Sequence, residues 1–380
     1  LIDEGDAFNE LLQAKTMNNL KSLNFFSKVE SKVVENPEEN KKTINITVEE
    51  KPTGEIMAGA GVGTSGGTVA FGISENNFLG RGIEFSSDIS ISPESVKGLV
   101  SLNNPNYKGS NRSLYTTLES TNTDRLKNFG YKSNKTGFSV GSGFEFYDNL
   151  YWNTGISSYI EKLDTDSTAS ASMKKQEGSY FDTLFNQSLV YDKRNQKFKT
   201  SDGYISKFTQ NIPLLSESYT LTNSYDYKIY NEWFDENIVS LGFFAKTTNS
   251  LSGKDVKLSD RLYLPTSRLR GFESGKVGPK DGADYIGGNY AASINVATTL
   301  PQIMPNLQNT NFSLFFDAAN VWGIDYDSSL ADDSKIRSSF GVAVDFFTPI
   351  GPLNFSLSET ISKGKNDITE SFRFNLGTTF

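Results

Sequence analysis

The sequence has 380 residues, which is long for one compact core but suits a single large closed sheet. It contains no Cys and no His, and this excludes disulfides, thiol and imidazole catalysis and the commonest zinc ligands. The net charge is −8, from 37 basic and 45 acidic residues scattered along the chain, so the sequence lacks the concentrated basic face that nucleic-acid binding requires.

The hydropathy of the chain excludes one class of membrane protein and leaves another. Mean hydropathy is −0.42 and there is no run of about 18 consecutive apolar residues, so we expect no helical membrane span. Membrane-crossing strands look only half apolar, because their side chains alternate between lipid and lumen. Abundant Gly (32), Phe (28) and Tyr (17) suit curved strands with aromatic girdles, although a soluble β-sandwich or propeller has a similar composition.

Residues 1–53 differ from the rest of the chain. Asp6 to Asn24 carries apolar residues near a 3.6-residue period, which predicts a helix. Two alternating segments, Phe26 to Val34 and Thr43 to Glu49, predict a hairpin with its turn at 36–40. One helix and one hairpin bury too little surface to fold securely alone. We therefore expect part of a larger α+β domain, in a chain that is a fragment or a processed product.

From Gly54 onward the sequence consists of successive strands separated by turn residues. In one of them Ile89 and Ile91 face one side while Asp88 and Ser90 face the other. Most segments have about ten residues or more, as tilted membrane-crossing strands require, whereas strands of soluble proteins average about 5–6. An even number of strands closes an antiparallel barrel with both ends on one side. The sixteen predicted strands lie near 54–63, 67–77, 81–92, 95–104, 111–122, 134–147, 150–162, 177–192, 201–212, 217–231, 236–249, 287–300, 310–321, 335–347, 352–363 and 369–380.

The connection 250–286 is much longer than the others, and a loop of that length is usually functional or disordered. It contains Arg268-Leu-Arg-Gly-Phe272, which resembles the sixth-loop signature of the BamA family and of its two-partner-secretion relatives. The continuation Val277-Gly-Pro-Lys280 resembles the BamA family more closely than those relatives. Further segments match the family in the same order: 23–26, 50–54, 76–82, 316–322, 349–355 and 372–380.

This resemblance implies an all-β fold, namely a 16-stranded antiparallel transmembrane β-barrel over 54–380 with the loop 250–286 folded inward. Residues 1–53 would be the C-terminal, truncated part of an α+β POTRA domain. The implied location is the bacterial outer membrane with the POTRA part in the periplasm, and the implied function is the folding and insertion of β-barrel proteins. The implied partners are unfolded outer-membrane barrel proteins, accessory lipoproteins, periplasmic chaperones and the lipid bilayer. We expect no nucleic-acid partner, cofactor or metal.

The resemblance also implies a lock that holds the loop inside the barrel. Arg270 needs a carboxylate partner there, ideally a bidentate one, and Asp317 on the thirteenth strand is the candidate. Gly271 would allow the tight backbone, and Phe272 would pack against the wall. Asn295 stands where the family has a second acidic residue on the twelfth strand, which leaves half of the lock uncharged. Taken alone, the same residues fit a surface Arg-Gly turn equally well.

The first and last barrel strands predict a weak seam. Four glycines weaken pairing and permit bending in the first strand, and the last strand alternates apolar residues like an outer-membrane sorting signal. The glycines alone are also consistent with simple relief of crowding where the sheet curves. The predicted seam residues are Gly54, Gly59, Gly61, Gly63, Phe372, Phe374, Leu376 and Phe380.

Three non-enzymatic functions compete, since a chain without His offers no Ser triad and no dinucleotide or phosphate fingerprint in a strand–helix context. We predict that the chain is not an enzyme. An insertase of barrel proteins that opens its seam is favoured by the motifs. A polypeptide secretion or translocation pore of the two-partner or TamA type is the alternative, and a passive porin is the least favoured because it would lack both the N-terminal piece and the loop.

Overall fold

A computed structural model describes residues 4–36, 41–197, 200–234, 237–300, 310–330, 335–348 and 351–377. Its N-terminal part consists of helix α1 (Glu10–Ser22) and an antiparallel hairpin of β1 (Phe26–Asn36) and β2 (Lys41–Glu50). The helix is shorter than predicted because the Asn9 side chain caps it, accepting hydrogen bonds from two backbone N–H groups of the first turn. Most of the predicted turn, at 37–40, lies outside the described residues, and the assignment of 1–53 to a POTRA domain stays a prediction.

The remaining chain forms a closed antiparallel barrel, which confirms the predicted fold class. Sixteen strands make up the barrel in the described part of the chain, and two short ones lie in its longest connection. In chain order they are β3 (Gly54–Gly63), β4 (Gly66–Phe78), β5 (Ile83–Ser92), β6 (Ser95–Asn104), β7 (Arg112–Arg125), β8 (Tyr131–Tyr147), β9 (Leu150–Thr165), β10 (Gly178–Asp192), β11 (Gly203–Ser216), β12 (Thr220–Phe234), β13 (Asn237–Ser250), the short β14 (Lys280–Asp281) and β15 (Asp284–Tyr285), then β16 (Tyr290–Leu300), β17 (Thr310–Trp322), β18 (Arg337–Thr348), β19 (Gly351–Ser362) and β20 (Phe372–Gly377).

The outer face of the barrel is apolar and exposed. Along β4, for example, the alternate residues Val69, Phe71 and Ile73 are 57%, 54% and 41% exposed. Exposed apolar side chains recur at alternate positions on other strands, and a surface of this extent belongs in a lipid bilayer rather than in water. The chain is therefore a transmembrane β-barrel of the outer-membrane type. Among the described residues, none of the helices is both long and apolar enough to cross a membrane.

The interior is filled by the connection between β13 and β16, residues 251–289, which we call the inward loop. It packs into two clusters of buried apolar side chains. The first joins Leu258 and Ile286 of the loop to Phe129, Leu163 and Met173 of the barrel and its rim. The second gathers side chains of the loop and of the neighbouring strands: Leu262, Leu264, Leu269, Phe272, Val277, Ala291, Ala319 and Val321.

Three elements at the distal rim, opposite the N-terminal segment, depart from the predictions. One-turn helices α2 (Leu126–Phe129) and α3 (Ala171–Lys174) lie in connections where no helix was predicted. The last strand covers 372–377 instead of 369–380, because residues 368–370 make backbone hydrogen bonds to the inward loop. Residues 378–380 lie outside the described part of the chain.

Candidate functional site

The inward loop is held to the wall by a bidentate ion pair between Arg270 and Asp317. The guanidinium donates from Nε to Oδ2 and from Nη2 to Oδ1, each at 2.7 Å, and the Arg270 backbone N–H donates to Oδ2 at 3.1 Å. The Asp317 side chain is completely buried, and the guanidinium lies 3.5 Å from the ring centroid of Phe315. A buried carboxylate with three such donors is satisfied, so the two predicted lock residues meet in a strong, directional contact.

Asn295 supports this pair without contacting Arg270. Its Nδ2 donates to Asp317 Oδ1 at 2.8 Å and to the Arg268 carbonyl at 2.9 Å, while its Oδ1 accepts from Ser293 at 3.0 Å. The amide therefore orients the acceptor and fixes the loop backbone. The uncharged residue at this position leaves the loop with one bidentate carboxylate partner for Arg270.

Gly271 and Phe272 occupy the tightest part of the loop. Gly271 has φ +84°, and a Cβ there would stand 3.2 Å from both Ser339 Cβ and Ser358 Oγ. A residue with a side chain would be strained by its conformation and crowded by β18 and β19. Phe272 is 1% exposed and belongs to the second apolar cluster, so the loop turns at the glycine and buries the aromatic ring.

A second ion pair on the loop was missed by the sequence analysis. Arg268 donates to Asp226 of β12, and its guanidinium lies 4.6 Å from the ring centroid of Phe244 on β13. Arg268 stands in the motif that resembles the family signature, but no role was predicted for it. The available signal was Asp226 itself, an acidic residue between two aromatic residues of a predicted strand.

The opposite side of the loop is fastened by a buried lysine. Lys257 Nζ donates to Glu161 of β9 at 3.0 Å and to Asp182 of β10 at 2.6 Å, and it lies 3.5 Å from Asp260. Burial alone would lower the pKa of Lys257, but Asp260, Glu161 and Asp182 together hold that pKa above its ordinary value. Sequence spacing could not reveal this cluster, because the strand residues stand 75 and 96 positions away from the lysine.

A fourth cation of the loop, Arg261, pairs with Asp325 in the connection between β17 and β18. Asp325 also accepts from the Val256 backbone N–H at 2.8 Å and from Asn289 at 3.2 Å. Burial would raise the pKa of Asp325, but Arg261 and these two donors lower it below the ordinary value.

Within the described residues no group of three or more His, Cys, Asp or Glu is placed to hold a metal ion.

Within the described residues, which end at 377, the barrel closes between β20 and β3 through a short ladder. The described pairs are Asn375–Gly63, Leu376–Val62 and Gly377–Gly61, and the Thr64 N–H donates to the Phe374 carbonyl at 3.1 Å. A Cβ on Gly63 would lie 2.7 Å from that same carbonyl, so the close approach requires glycine. By contrast, β8 and β9 pair from Tyr131–Thr165 to Tyr147–Leu150.

The predicted seam residues are divided between this junction and its neighbours. Gly61, Gly63 and Leu376 pair across it. Among the described residues, Gly54 and Gly59 pair only with β4, opposite Glu75 and Ala70. Phe372 and Phe374 pair with Leu357 and Phe355 of β19, and Phe380 lies outside the described residues. Behind the junction a cavity of about 830 Å³ separates Gly63–Gly66 from the inward loop.

The comparisons with known proteins agree with this architecture. Residues 77–380 match the model of the Omp85 superfamily domain. Over its whole length the chain is 24% identical to outer membrane protein assembly factor BamA of Neorickettsia risticii and covers 52% of that protein. BamA of Neisseria meningitidis is 24% identical over 90% of this chain, which covers 49% of it. The chain thus spans about half the length of the curated relatives it matches.

Solved structures show the same fold. BamA from Haemophilus ducreyi lacking POTRA domains 1–3 superimposes with a TM-score of 0.90 at 24% identity, covering all of this chain and 80% of that one. CdiB from Acinetobacter baumannii gives a TM-score of 0.60 at 11% identity, covering 99% and 70%. The predicted resemblance to the BamA family is confirmed by these matches. Since the family model covers most of the barrel, the chain belongs to the Omp85 superfamily.

Proposed function

We propose that this chain is the membrane-embedded part of a factor that folds β-barrel proteins and inserts them into the outer membrane through the β20–β3 seam. The observation that carries the proposal is the β20–β3 ladder, which has three pairs among the described residues, in a barrel where strands such as β8 and β9 pair over most of their length. The relatives' names support it, since they include outer membrane protein assembly factors and the yeast sorting assembly machinery 50 kDa subunit. The yeast protein is 25% identical to this chain over 226 residues, a match that spans 46% of the yeast protein.

The mechanism follows from the lipid that surrounds the strands. In a bilayer each unsatisfied backbone group costs several kcal/mol, so an opened edge must find a new partner at once. Among the described ladders of the barrel, the β20–β3 ladder has the fewest pairs, so its parting releases the fewest backbone groups. The freed edge of β3 would then pair with a strand of the incoming protein by β-augmentation, in which backbone hydrogen bonds supply affinity and alternate side chains set register.

This proposal fixes the sidedness and the partners. The N-terminal segment would lie in the periplasm, where unfolded outer-membrane barrel proteins arrive with periplasmic chaperones and where accessory lipoproteins would bind. The bilayer takes part because it makes the open edge costly. No covalent chemistry is required of the chain, in keeping with its lack of His and Cys, so we propose a catalyst of folding rather than an enzyme.

The test uses the full-length protein in liposomes and the folding of a urea-denatured outer-membrane barrel, followed by its heat-modifiable gel shift. In one variant, Val62→Cys with Leu376→Cys, a disulfide closes the seam between two opposed residues. In the matched control, Val69→Cys with Ile91→Cys, it joins two opposed residues of β4 and β5. These 380 residues contain no cysteine, so within them each variant has only the two introduced thiols.

We expect the unmodified protein to accelerate folding, the seam disulfide to abolish the acceleration until it is reduced, and the control disulfide to leave it intact. Equal activity with the seam closed would overturn the mechanism. An absence of acceleration, together with passage of an unfolded polypeptide into the liposomes, would move the assignment to a secretion pore.

A further inference from the structure

Residues 364–370, which lead from β19 into β20 and which we call the strap, are folded onto the inward loop. Backbone hydrogen bonds run between the two segments in both directions, as in an antiparallel ladder. They join Glu273 N–H to the Ile368 carbonyl at 3.0 Å, Ile368 N–H to the Lys276 carbonyl at 3.1 Å and Glu370 N–H to the Gly271 carbonyl at 3.0 Å. The strap is therefore paired with the inward loop as far as Glu370, two residues before β20 begins at Phe372.

A completely buried ion pair fixes the strap from the other side. Arg337, at the start of β18, donates to Asp367 from Nε at 2.8 Å and from Nη2 at 3.2 Å, and both side chains have zero exposure. Asp367 also accepts from the Gly278 backbone N–H of the loop at 3.1 Å, while Arg337 donates to Asn320 of β17. One pair thus connects two wall strands, the strap and the inward loop.

The last strand needs such an attachment because its ladders are short. On one side β20 pairs with β19 only from Leu353–Leu376 to Leu357–Phe372 in the described residues. On the other side the same described residues make three pairs across the seam. A strand with so few ladder bonds would open locally at low free energy if nothing else held it.

The other side of the seam is attached differently. β3 pairs with β4 along its whole length, from Gly54–Glu75 to Gly63–Gly66. Its distal end lies across the 830 Å³ cavity from the inward loop, and Arg373 and Phe374 of β20 line the same cavity. Besides the seam ladder, the links across to β20 are the Thr64–Phe374 backbone bond and a hydrogen bond from Arg373 to Ser65.

We infer that Arg337 and Asp367 are positioning residues that hold β20, through the strap, on the inward loop and on β17 and β18. β20 is then held on the inward loop while the seam opens. The inference rests on the proposed opening of the seam, but the attachment of β20 can be tested without any folding activity.

The first experiment measures amide hydrogen exchange in the full-length protein in liposomes, without substrate. Asp367→Asn removes the buried charge of the strap, and Asp325→Asn is the matched control, because Asp325 holds the inward loop through Arg261 without touching the strap. We expect Asp367→Asn to speed exchange at 372–376 at least about tenfold, because one member of a buried pair is left unsatisfied. The control should leave those amides unchanged. Equal exchange at 372–376 in the two variants would overturn the positioning role.

A second experiment fastens the strap instead of loosening it, and so serves if the Asp367 variant fails to fold. Glu273→Cys with Ile368→Cys forms a disulfide between two residues whose backbones are hydrogen-bonded. We expect the oxidised protein to accelerate barrel folding as fast as the reduced protein, since β20 stays on the loop while the seam opens. Loss of acceleration that returns on reduction would show that the strap must detach, and would overturn the inference. If neither form accelerates folding, the proposed function fails, while the exchange experiment still decides whether the strap holds β20.

Discussion

The wall formed by β8, β9 and β10 and the seam formed by β19, β20 and β3 are parts of one sheet with very different pairing. β9 pairs along nearly its whole length with both neighbours, from Tyr131–Thr165 to Tyr147–Leu150 and from Gly178–Leu163 to Tyr191–Leu150. In the part of the chain that the structure describes, β20 has a short ladder on each side. A closed barrel can thus concentrate its stability in one region and leave another near the threshold of opening.

The inward loop contacts both regions through different interactions. On the wall it is held by the charge cluster of Lys257 with Glu161 and Asp182. Near the seam it is held by backbone hydrogen bonds to the strap. Buried charges specify a position strongly but cost much when a partner is lost, whereas a ladder distributes the attachment over several bonds. The difference indicates that the loop is attached most specifically at the wall and extends from there toward the seam.

Substituting Lys257, which attaches the loop to the wall, should have the largest effect on the difference between the wall and the seam. Lys257→Met leaves Glu161 and Asp182 buried without their cation, and breaking a buried pair costs about 3–5 kcal/mol. We expect the free energy of unfolding in urea, followed by tryptophan fluorescence in detergent micelles, to fall by that amount. Lys257→Arg, which keeps the charge, should lose less. A loss below about 1 kcal/mol for Lys257→Met would mean that the wall does not depend on the loop.

Glycine substitutions in the wall and in the seam should lower the free energy of unfolding by different amounts, and this difference should be smaller than the effect of Lys257→Met. At Gly137 in β8 a Cβ would meet the Ser158 carbonyl at 2.2 Å and Tyr159 Cα at 2.9 Å, so the long β8–β9 ladder would have to shift. At Gly63 the obstacles are the Phe374 carbonyl at 2.7 Å and Asn375 Oδ1 and Cα at 3.0 and 3.3 Å, all of them in the seam ladder. We expect Gly137→Ala to lower the free energy of unfolding by about 1–3 kcal/mol, as overpacking does, and Gly63→Ala to change it little.

Amide exchange distinguishes the two responses. In Gly63→Ala the amides of 374–376 should exchange faster while those of β8 and β9 stay protected, because the seam gives way locally. In Gly137→Ala protection should fall along β8 and β9. If Gly63→Ala destabilised the whole barrel as strongly as Gly137→Ala, the seam would be an integral part of the cooperative unit and not a separate, weaker one.

The sequence predicted the barrel well because the barrel repeats a local pattern. Alternating side chains and turn residues are visible within ten residues, so all sixteen strands were found, with bounds off by a few residues at most in nearly every case. The largest offset, four residues, is at the end of β11, and β20 begins three residues later than predicted because Ile368 and Glu370 pair with the inward loop. The sequence contains no sign of that choice, because an apolar alternating segment fits either partner.

The site was predicted only where a motif resembled the family. Arg270 and Asp317 are 47 positions apart, and the resemblance, not the spacing, singled them out. The clusters around Lys257, Arg261 and Arg337 were missed, because isolated charges scattered over distant strands look like solvated surface until closure of the barrel brings them together. Long-range pairing of charged side chains in a lumen has no local period for a sequence to reveal.

The smallest expected effect concerns the Arg268–Asp226 pair, which touches neither the wall cluster nor the seam. Its side chains are 24% and 33% exposed, so solvent weakens the attraction, and the contact of the guanidinium with Phe244 adds a modest cation–π energy. A double-mutant cycle with Arg268→Ala and Asp226→Ala should give a coupling energy of about 0.5–1 kcal/mol in urea unfolding.

The same variants show whether the Arg268–Asp226 pair takes the place of the acidic residue that this chain lacks at Asn295. If Arg268 with Asp226 serves as the second fixing point on this side of the barrel, Arg268→Ala should speed amide exchange at 266–270 while exchange at 372–376 stays unchanged. A coupling energy near zero would leave Arg270 with Asp317 as the attachment that matters there. Faster exchange at 372–376 would instead connect this pair to the seam, and β20 would then depend on the whole loop and not on the strap alone.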